Sequence, residues 1–298
     1  MGDLASYQLG RTVSTLAHPF KGEDNVYGGQ RLDAIEIADA DFKHCTFANL
    51  SFKQARFRNG YFQNCIFIGC YFRRAELAST RFIGCRFFDC VFSHVAVRGC
   101  NFSFSTFRDC CVPFAEMRYS LPQEPNIREE LARNLALESS HLGLGSEARA
   151  YRLEEIRARE EHLLGAIFAR SQWYQEHFDF VGRVRAFGNL VFSLLNRWFW
   201  GYGERARVLL RNLILVGFVI FPVFFFFVKN QLHRTDNSEV TILDLLFFSM
   251  GNIVPAGIVS GVVAVGITAR LLASFESVIG VVALGLFASY IFRWSLHR

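Results

Sequence analysis

The chain lacks the short signatures that announce an enzyme. Its 298 residues contain no glycine-rich phosphate loop, no nucleophile elbow and no metal-spaced cluster. The eight histidines lie scattered from His18 to His297. Catalytic residues, a metal centre and a cofactor are therefore not expected. A strong excess of charge is missing too. Against 27 Asp and Glu stand 32 Lys and Arg, a net charge of +5, which points to no polyanionic or polycationic partner. No secretory signal peptide is visible at the N-terminus.

What is present is a period of five. Large apolar residues fall at Ile37, Phe42, Phe47, Phe52, Phe57, Phe62, Phe67, Phe72, Leu77, Phe82, Phe87, Phe92, Val97, Phe102, Phe107, Val112 and Met117. These are 17 pentads without an insertion, 12 of them centred on Phe. Two residues earlier the chain is mostly small, as at Ala40, Cys45, Ala55, Gly60, Cys65, Cys70 and Ala75. In extended backbone, residues i and i−2 point to one side. A period of five then means a corner after every pentad. Four corners close a square coil of about 20 residues, and coils stack at the strand spacing of about 4.8 Å. The large residue fills the square, the small one packs against its wall, and the others face outward.

This spacing also accounts for the cysteines. Seven of the eight occupy the small inward slot, and Cys111 is the exception. Cys45, Cys65 and Cys85 should stack on one wall, and Cys70, Cys90 and Cys110 on another. A metal site needs ligands converging on one point, whereas one thiol per layer makes a ladder. Reduced Cys packs as a small hydrophobe, and so many free thiols suit a reducing compartment.

The pattern over residues 31–119 resembles the pentapeptide-repeat family. The resemblance implies a right-handed quadrilateral β-helix of about four coils, about 20 Å tall, preceded by an N-terminal segment at 1–30. Some members of that family mimic DNA, which requires a strongly acidic surface. Residues 31–119 carry 12 Lys and Arg against 8 Asp and Glu, so DNA mimicry is not expected. The charges are scattered rather than gathered into a stripe, so nucleic-acid binding is not expected either. A spacer or a docking surface for a cytoplasmic protein is the simpler role.

Residues 120–180 read as a helical linker. Asn126 followed by Glu129 suggests a helix start and a helix over 127–138, ended by Gly143-Leu144-Gly145. A second helix runs from Glu147 to about Arg170, with Leu153, Ile156, Leu163 and Ile167 as its apolar stripe. Residues 181–204 mix Arg with apolar residues and carry Trp198, Trp200 and Tyr202, the pattern of a helix lying in a membrane interface.

Two apolar runs follow. Val208 to Val228 is broken only by Arg211 and Asn212, and Leu271 to Phe292 only by Glu276 among charged residues. At 1.5 Å per residue each crosses a bilayer core of about 30 Å, giving spans at about 207–228 and 269–294. Pro222 should perturb the first. Arg205, Arg207 and Arg211 flank the first span before it, and Arg293 and Arg298 follow the second. The positive-inside rule then places both termini in the cytoplasm of a multi-pass protein of the inner or plasma membrane. "MGDLAS" fits a myristoylation pattern, but a chain with two spans needs no lipid anchor.

Between the spans lies "LDLLFFS" (243–249), and after it Gly- and Pro-containing backbone. With Ala269-Arg270-Leu271-Leu272, Glu276 and Gly280 in the second span, residues 205–298 resemble the two-transmembrane pore module of the potassium-channel superfamily. "GYGE" (201–204) is similar to bacterial proteins that join pentapeptide repeats to this pore. The resemblance implies a pore helix at about 241–250, a filter-like loop at 251–261, a homotetramer in a lipid bilayer, and permeant ions. The filter departs from the family's Thr-Val-Gly-Tyr-Gly. Its places hold Pro255, Ala256, Gly257, Ile258 and Val259, or, with one slip, Ala256 to Ser260. Stacked backbone carbonyls select potassium, and alternating glycines permit the φ > 0 this needs. Val259 resists that conformation, and Pro255 has fixed φ and no N–H. Potassium selectivity of the family kind is therefore not expected. No acid occurs between residues 245 and 275, so a carboxylate ring is absent. Asn252 and Ser260 are the polar candidates, and Ile258, Val259 or Val262 could form an apolar constriction.

Glu276 has two readings. It pairs with an Arg or caps a neighbour's pore helix, or it serves gating or permeation. Gly280 and Gly285 are either hinges or sites of close helix packing, and Arg270 marks the start of the inner helix. The chain as a whole reads as an ion-channel-like pore with a cytoplasmic β-helix for sensing or assembly. The alternative is a non-conducting, membrane-anchored scaffold that recruits a partner through its repeats.

Overall fold

The computed structural model describes residues 13–203, 206–236, 238–254 and 261–296. The chain forms two compact units, Met1–Phe187 and Gly188–Arg298.

The first unit is a solenoid closed by helices. Parallel strands stack in walls, each strand twenty residues beyond the one below it except at the start, where Val13 pairs with Val26. One wall runs through Val13–Ser14, Val26–Gly28, Thr46–Ala48, Ile66–Ile68, Arg86–Phe88 and Thr106–Arg108. The second holds Lys21–Glu23, Asp41–Lys43, Tyr61–Gln63 and Arg81–Ile83, and the third Glu36–Ala38, Arg56–Arg58, Glu76–Ala78 and Ala96–Arg98. A fourth is joined by single bridges at Arg31, Ser51, Tyr71, Val91 and Cys111. This register sets each central side chain directly over its predecessor. Phe47, Phe67, Phe87 and Phe107 stack with ring centroids 4.8 Å apart at every step. Phe42, Phe62, Phe82 and Phe102 stack at 5.5, 5.0 and 5.1 Å. Each such pair adds about 0.5–1.5 kcal/mol beyond the area it buries. The inward Cys residues are buried and free, and only Cys111 is exposed. Their thiols point at backbone carbonyls of the coil below, as Cys85 Sγ does at Phe62 O (3.3 Å).

The corners have their own chemistry. The residue two after each centre from Ile37 to Phe107 takes positive φ, as at His44 (53°), Asn49 (53°), Asn64 (51°) and Asp89 (51°). Asn and Asp tolerate this left-handed conformation better than other side chains. The polar residues of that slot thus make the turn as well as the surface.

Among the described residues the strand ladder is already present at Val13, well before residue 31. The five-residue pattern is hidden there because Gly22 pairs with Phe42 and occupies a central slot. Tyr27 supplies the missing bulk. Its ring stacks on Phe47 at 5.4 Å, and its hydroxyl fills the space a Gly22 side chain would take.

Helices α1 (Phe114–Met117), α2 (Pro125–His141) and α3 (Gly145–Phe168) close the far end. An open end would leave backbone groups free to pair with another chain. Asn134 of α2 covers them as a strand would: Phe107 N–H donates to Asn134 Oδ1 (2.8 Å), and Asn134 Nδ2 donates to Phe107 O (3.0 Å). Tyr151 of α3 is fully buried and donates to Val112 O (2.9 Å). Helix α2 starts at Pro125 in its first turn with Glu124 as cap, so Asn126 lies inside the helix and does not cap it. Proline suits that place because its missing N–H would have no partner there. The buried face of α3 runs through Ala148, Tyr151, Glu154 and Ala158, not through Leu153 and Ile156. The reason is an ion-pair seam with α2, where Glu154 meets Arg128 (3.6 Å) and Glu155 meets Arg133 (2.9 Å). Leu163 and Ile167 pack instead on a small cluster with Tyr174 of α4 (Gln172–His177).

Helix α5 (Phe180–Trp200) carries a stripe of exposed apolar residues, including Phe180, Val184, Phe187, Val191, Leu195 and Trp198. Their spacing of three and four is that of one helix face. In the second unit, α6 (Ala206–Leu215), a π-turn (Val216–Ile220) and α7 (Phe221–Phe227) make one run, Arg207–Phe227, long and apolar enough to cross a membrane. A short apolar helix, α8 (Ile242–Ile253), follows, and then α9 (Ile267–Leu296), whose Ile267–Phe292 is also long enough to cross. Strands Leu232–Arg234 and Val262–Ala264 pair antiparallel and tie together the chain after α7 and before α9.

Candidate functional site

Helix α8 starts with a full capping box. Thr241 Oγ1 accepts from the Asp244 N–H, and the Asp244 carboxylate accepts from the Thr241 N–H (2.8 Å). Arg234 of the neighbouring strand pairs with Asp244 (3.4 Å). Opposite, Gln231 accepts from Thr268 and caps the first turn of α9. The entry of α8 and the start of α9 are thus fixed to one small sheet.

The other end of α8 meets both long helices at a polar node. In the π-turn, Phe221 N–H bonds to Val216 O. The next donor in that series would be residue 222, a proline without N–H. Ser249 takes its place, with Oγ 2.8 Å from Gly217 O. Ser249 Oγ also contacts Glu276 Oε1 of α9, and Asn252 Nδ2 donates to Glu276 Oε2 (3.0 Å). Ser249 and Glu276 are wholly buried. Ser249 has one proton for two acceptors, so its hydroxyl donates to only one of Gly217 O and Glu276 Oε1 at a time. One turn further, Gly280 lies against the α8 backbone, and a Cβ there would sit 2.7 Å from Ile253 Cα and 2.9 Å from its carbonyl carbon.

These positions change several expectations. Glu276 meets Ser249 and Asn252 of its own chain, and among the described residues it has no Arg partner. Arg270 lies apart from it, exposed, donating to Ala264 O (3.1 Å). Asn252 belongs to the last turn of α8, not to the filter loop, and turns to Glu276. Val262 is buried in the core around α8. Gly280 is a close-packing site, whereas the space beside Gly285 is open. Pro255, Ala256, Gly257, Ile258, Val259 and Ser260 lie outside the described residues.

Two features had no counterpart in the spacing of the sequence. Asn212, a polar break in the first apolar run, is buried and donates to the carbonyls of Trp198 and Phe199 (3.0 Å to the latter), capping the end of α5. Ser249 reads as an ordinary helix serine until its partners, 32 and 27 residues away, are placed beside it.

Models of pentapeptide repeats match residues 37–76 and 61–93. No curated protein matches the chain. Among solved structures, QnrB1, a plasmid-mediated fluoroquinolone resistance protein, aligns at 17% identity over 30% of this chain and 70% of its own, with a TM-score of 0.12. A pentapeptide repeat protein from the Arabidopsis thaliana thylakoid lumen aligns at 15% identity over 33% of this chain and 76% of its own, with a TM-score of 0.13. With pentapeptide-repeat matches over residues 37–93 and a twenty-residue strand register, the N-terminal part of the chain is a pentapeptide-repeat β-solenoid.

Proposed function

We propose that the chain is one subunit of an ion-conducting membrane pore, assembled from several copies, with the solenoid as a cytoplasmic sensing or assembly domain. The observation that carries this reading is α8. It is a short apolar helix inserted between two membrane-length helices and bonded to both through Ser249. A simple two-helix anchor has no need of such an element. The long helices also differ from the core helices of a water-soluble protein. Only 39% of the first and 17% of the second is buried within the chain, and large residues such as Phe218, Phe224, Leu271, Phe275 and Val281 face outward. Lipid and further copies of the chain are the surroundings that suit them. Four copies follow from the resemblance of the module to potassium channels, and cytoplasmic termini from the arginines flanking both runs.

The segment Pro255–Val259, with its single glycine, supports a pore that does not select potassium by stacked carbonyls. Recording from the full chain in planar bilayers, first under a potassium/sodium gradient and then a chloride gradient, tests the proposal. The expected result is discrete conductance with potassium favoured over sodium by less than about tenfold, or about 1.4 kcal/mol. Strong potassium selectivity would overturn the filter argument. Silence from a homogeneous oligomer across voltage and ligand conditions would favour the scaffold reading.

A further inference from the structure

We propose that Asp109, Glu138 and His141 form a surface site for a divalent transition-metal ion, zinc by preference, that clamps α2 to the last coil of the solenoid. The proposal is independent of the pore. The residues come from two elements. Asp109 is the corner residue after the strand Thr106–Arg108, held at φ 53°. Glu138 and His141, three apart in the last turn of α2, share one helix face.

One ligand atom from each lies within 4.8 Å of the other two, and His141 Nδ1 is 3.7 Å from Asp109 Oδ1. Zinc takes nitrogen and oxygen ligands at about 2.0–2.2 Å, which sets neighbouring ligands of a tetrahedral ion roughly 3.3–3.5 Å apart. Closing the widest pair from at most 4.8 Å to that spacing takes a side-chain shift of up to about 1.4 Å. The side chains of His141 and Asp109, 75% and 43% exposed, have the room to make it.

Glu138 is already aimed. Its Oε2 accepts the Asp109 N–H (2.8 Å), which leaves Oε1 for the ion. This is the outer-sphere fixing that metal-binding carboxylates need. Two carboxylates neutralise a dication, and the imidazole favours zinc over magnesium or calcium, which prefer oxygen ligands. Water completes the coordination on the exposed side.

The consequence is mechanical. The cap is fastened here by the Asn134 amide on Phe107, by the bond from the Asp109 N–H to Glu138 and by the His141–Asp109 contact. An ion bridging the same two elements holds the folded cap and not the unfolded one, so it stabilises the closed end by mass action.

The test uses the full, untagged chain in detergent, stripped with chelator and carrying Cys111→Ser to remove the exposed thiol. Calorimetric titration with zinc chloride should give one site per chain, and magnesium or calcium chloride no site. His141→Ala and Glu138→Gln should each weaken zinc binding at least about tenfold, with unchanged circular dichroism in the absence of metal. Hydrogen exchange at residues 107–109 and 134–141 should slow with zinc in the parent and not in His141→Ala. Absence of zinc binding in the parent, equal affinity in both variants, or zinc binding without protection at 107–109 would each overturn the clamp.

Discussion

Gly280 and Gly285 lie on one helix, five residues apart, and the structure assigns them opposite responses to the same change. At Gly280 an added Cβ meets the backbone of Ile253, at 2.7 Å from Cα and 2.9 Å from the carbonyl carbon. Those atoms cannot rotate aside, so α8 and α9 must separate by roughly 0.5–1 Å, an overpacking cost of about 1–3 kcal/mol. At Gly285 nothing lies within 4 Å. Both sites are helix interior, where Ala is favoured over Gly by up to about 1 kcal/mol, and this gain is common to both. The difference between Gly280→Ala and Gly285→Ala is therefore about 1–3 kcal/mol. The assay is survival of the monodisperse full chain in detergent after heating, followed by size-exclusion chromatography. Gly280→Ala should lose it at a lower temperature, and Gly285→Ala should match or exceed the parent. Equal behaviour, or greater damage at Gly285, refutes the packing argument. If Gly280 were a hinge of the proposed pore instead, its substitution would alter conductance at unchanged heat resistance.

Four further outcomes follow from the same geometry. A thiol reagent should titrate one cysteine in the native chain, Cys111, and all eight after denaturation; burial pushes the Cys90 and Cys100 thiols up and keeps them from forming thiolate. Asn134→Leu should orphan the N–H and C=O of Phe107, costing about 1–3 kcal/mol per group, with faster amide exchange at Phe107 as the readout. Glu276→Gln should preserve the node, since its amide donates to Ser249 and accepts from Asn252. Glu276→Ala should leave the Asn252 amide unpaired and lower heat resistance by about 1–3 kcal/mol. His162 lies against Trp173, Tyr174 and Phe178, and burial lowers its pKa, opposed in part by Glu129. The folded state then binds this proton less tightly than the unfolded one. Its stabilising effect is full above the ordinary histidine value of about 6.5 and is lost as pH falls below it. Denaturant midpoints followed by tryptophan fluorescence should show that slope, and His162→Gln should flatten it.

The solenoid was legible because each of its residues has a job set by position alone. Phe62, Phe67 and Phe72 are readable as core from their spacing, and Cys65 and Cys70 from standing two before a centre. The reading stopped where a different residue did the same job. Gly22 breaks the pattern, and only the placement of Tyr27 over it shows that the coil continues. The helix start at Pro125 was obscured by a rival signal, Asn126 with Glu129, that the chain does not use. On α3, hydrophobicity pointed to Leu153 and Ile156, but the charged seam with α2 rotates the helix so that Glu154 and Ala158 face inward.

The polar node in the second unit illustrates a different boundary. Glu276 stood out as the one charge in an apolar run, yet its neighbours could not be read from spacing. They are fixed by backbone events on two other elements. Pro222 withholds a donor from the π-turn, the turn leaves the Gly217 carbonyl for Ser249 to reach, and Gly280 lets α8 and α9 approach closely. Each residue has an ordinary local explanation, in turn a kink, a small residue and a helix serine. Only together do they bring Glu276 and Ser249 into contact at the junction of three helices. A buried acid bonded to the helix that leads into Pro255–Ser260 links the inner helix to that segment. Movement of α9 must then either carry α8 with it or break the contacts of Glu276 with Ser249 and Asn252 in a buried interior.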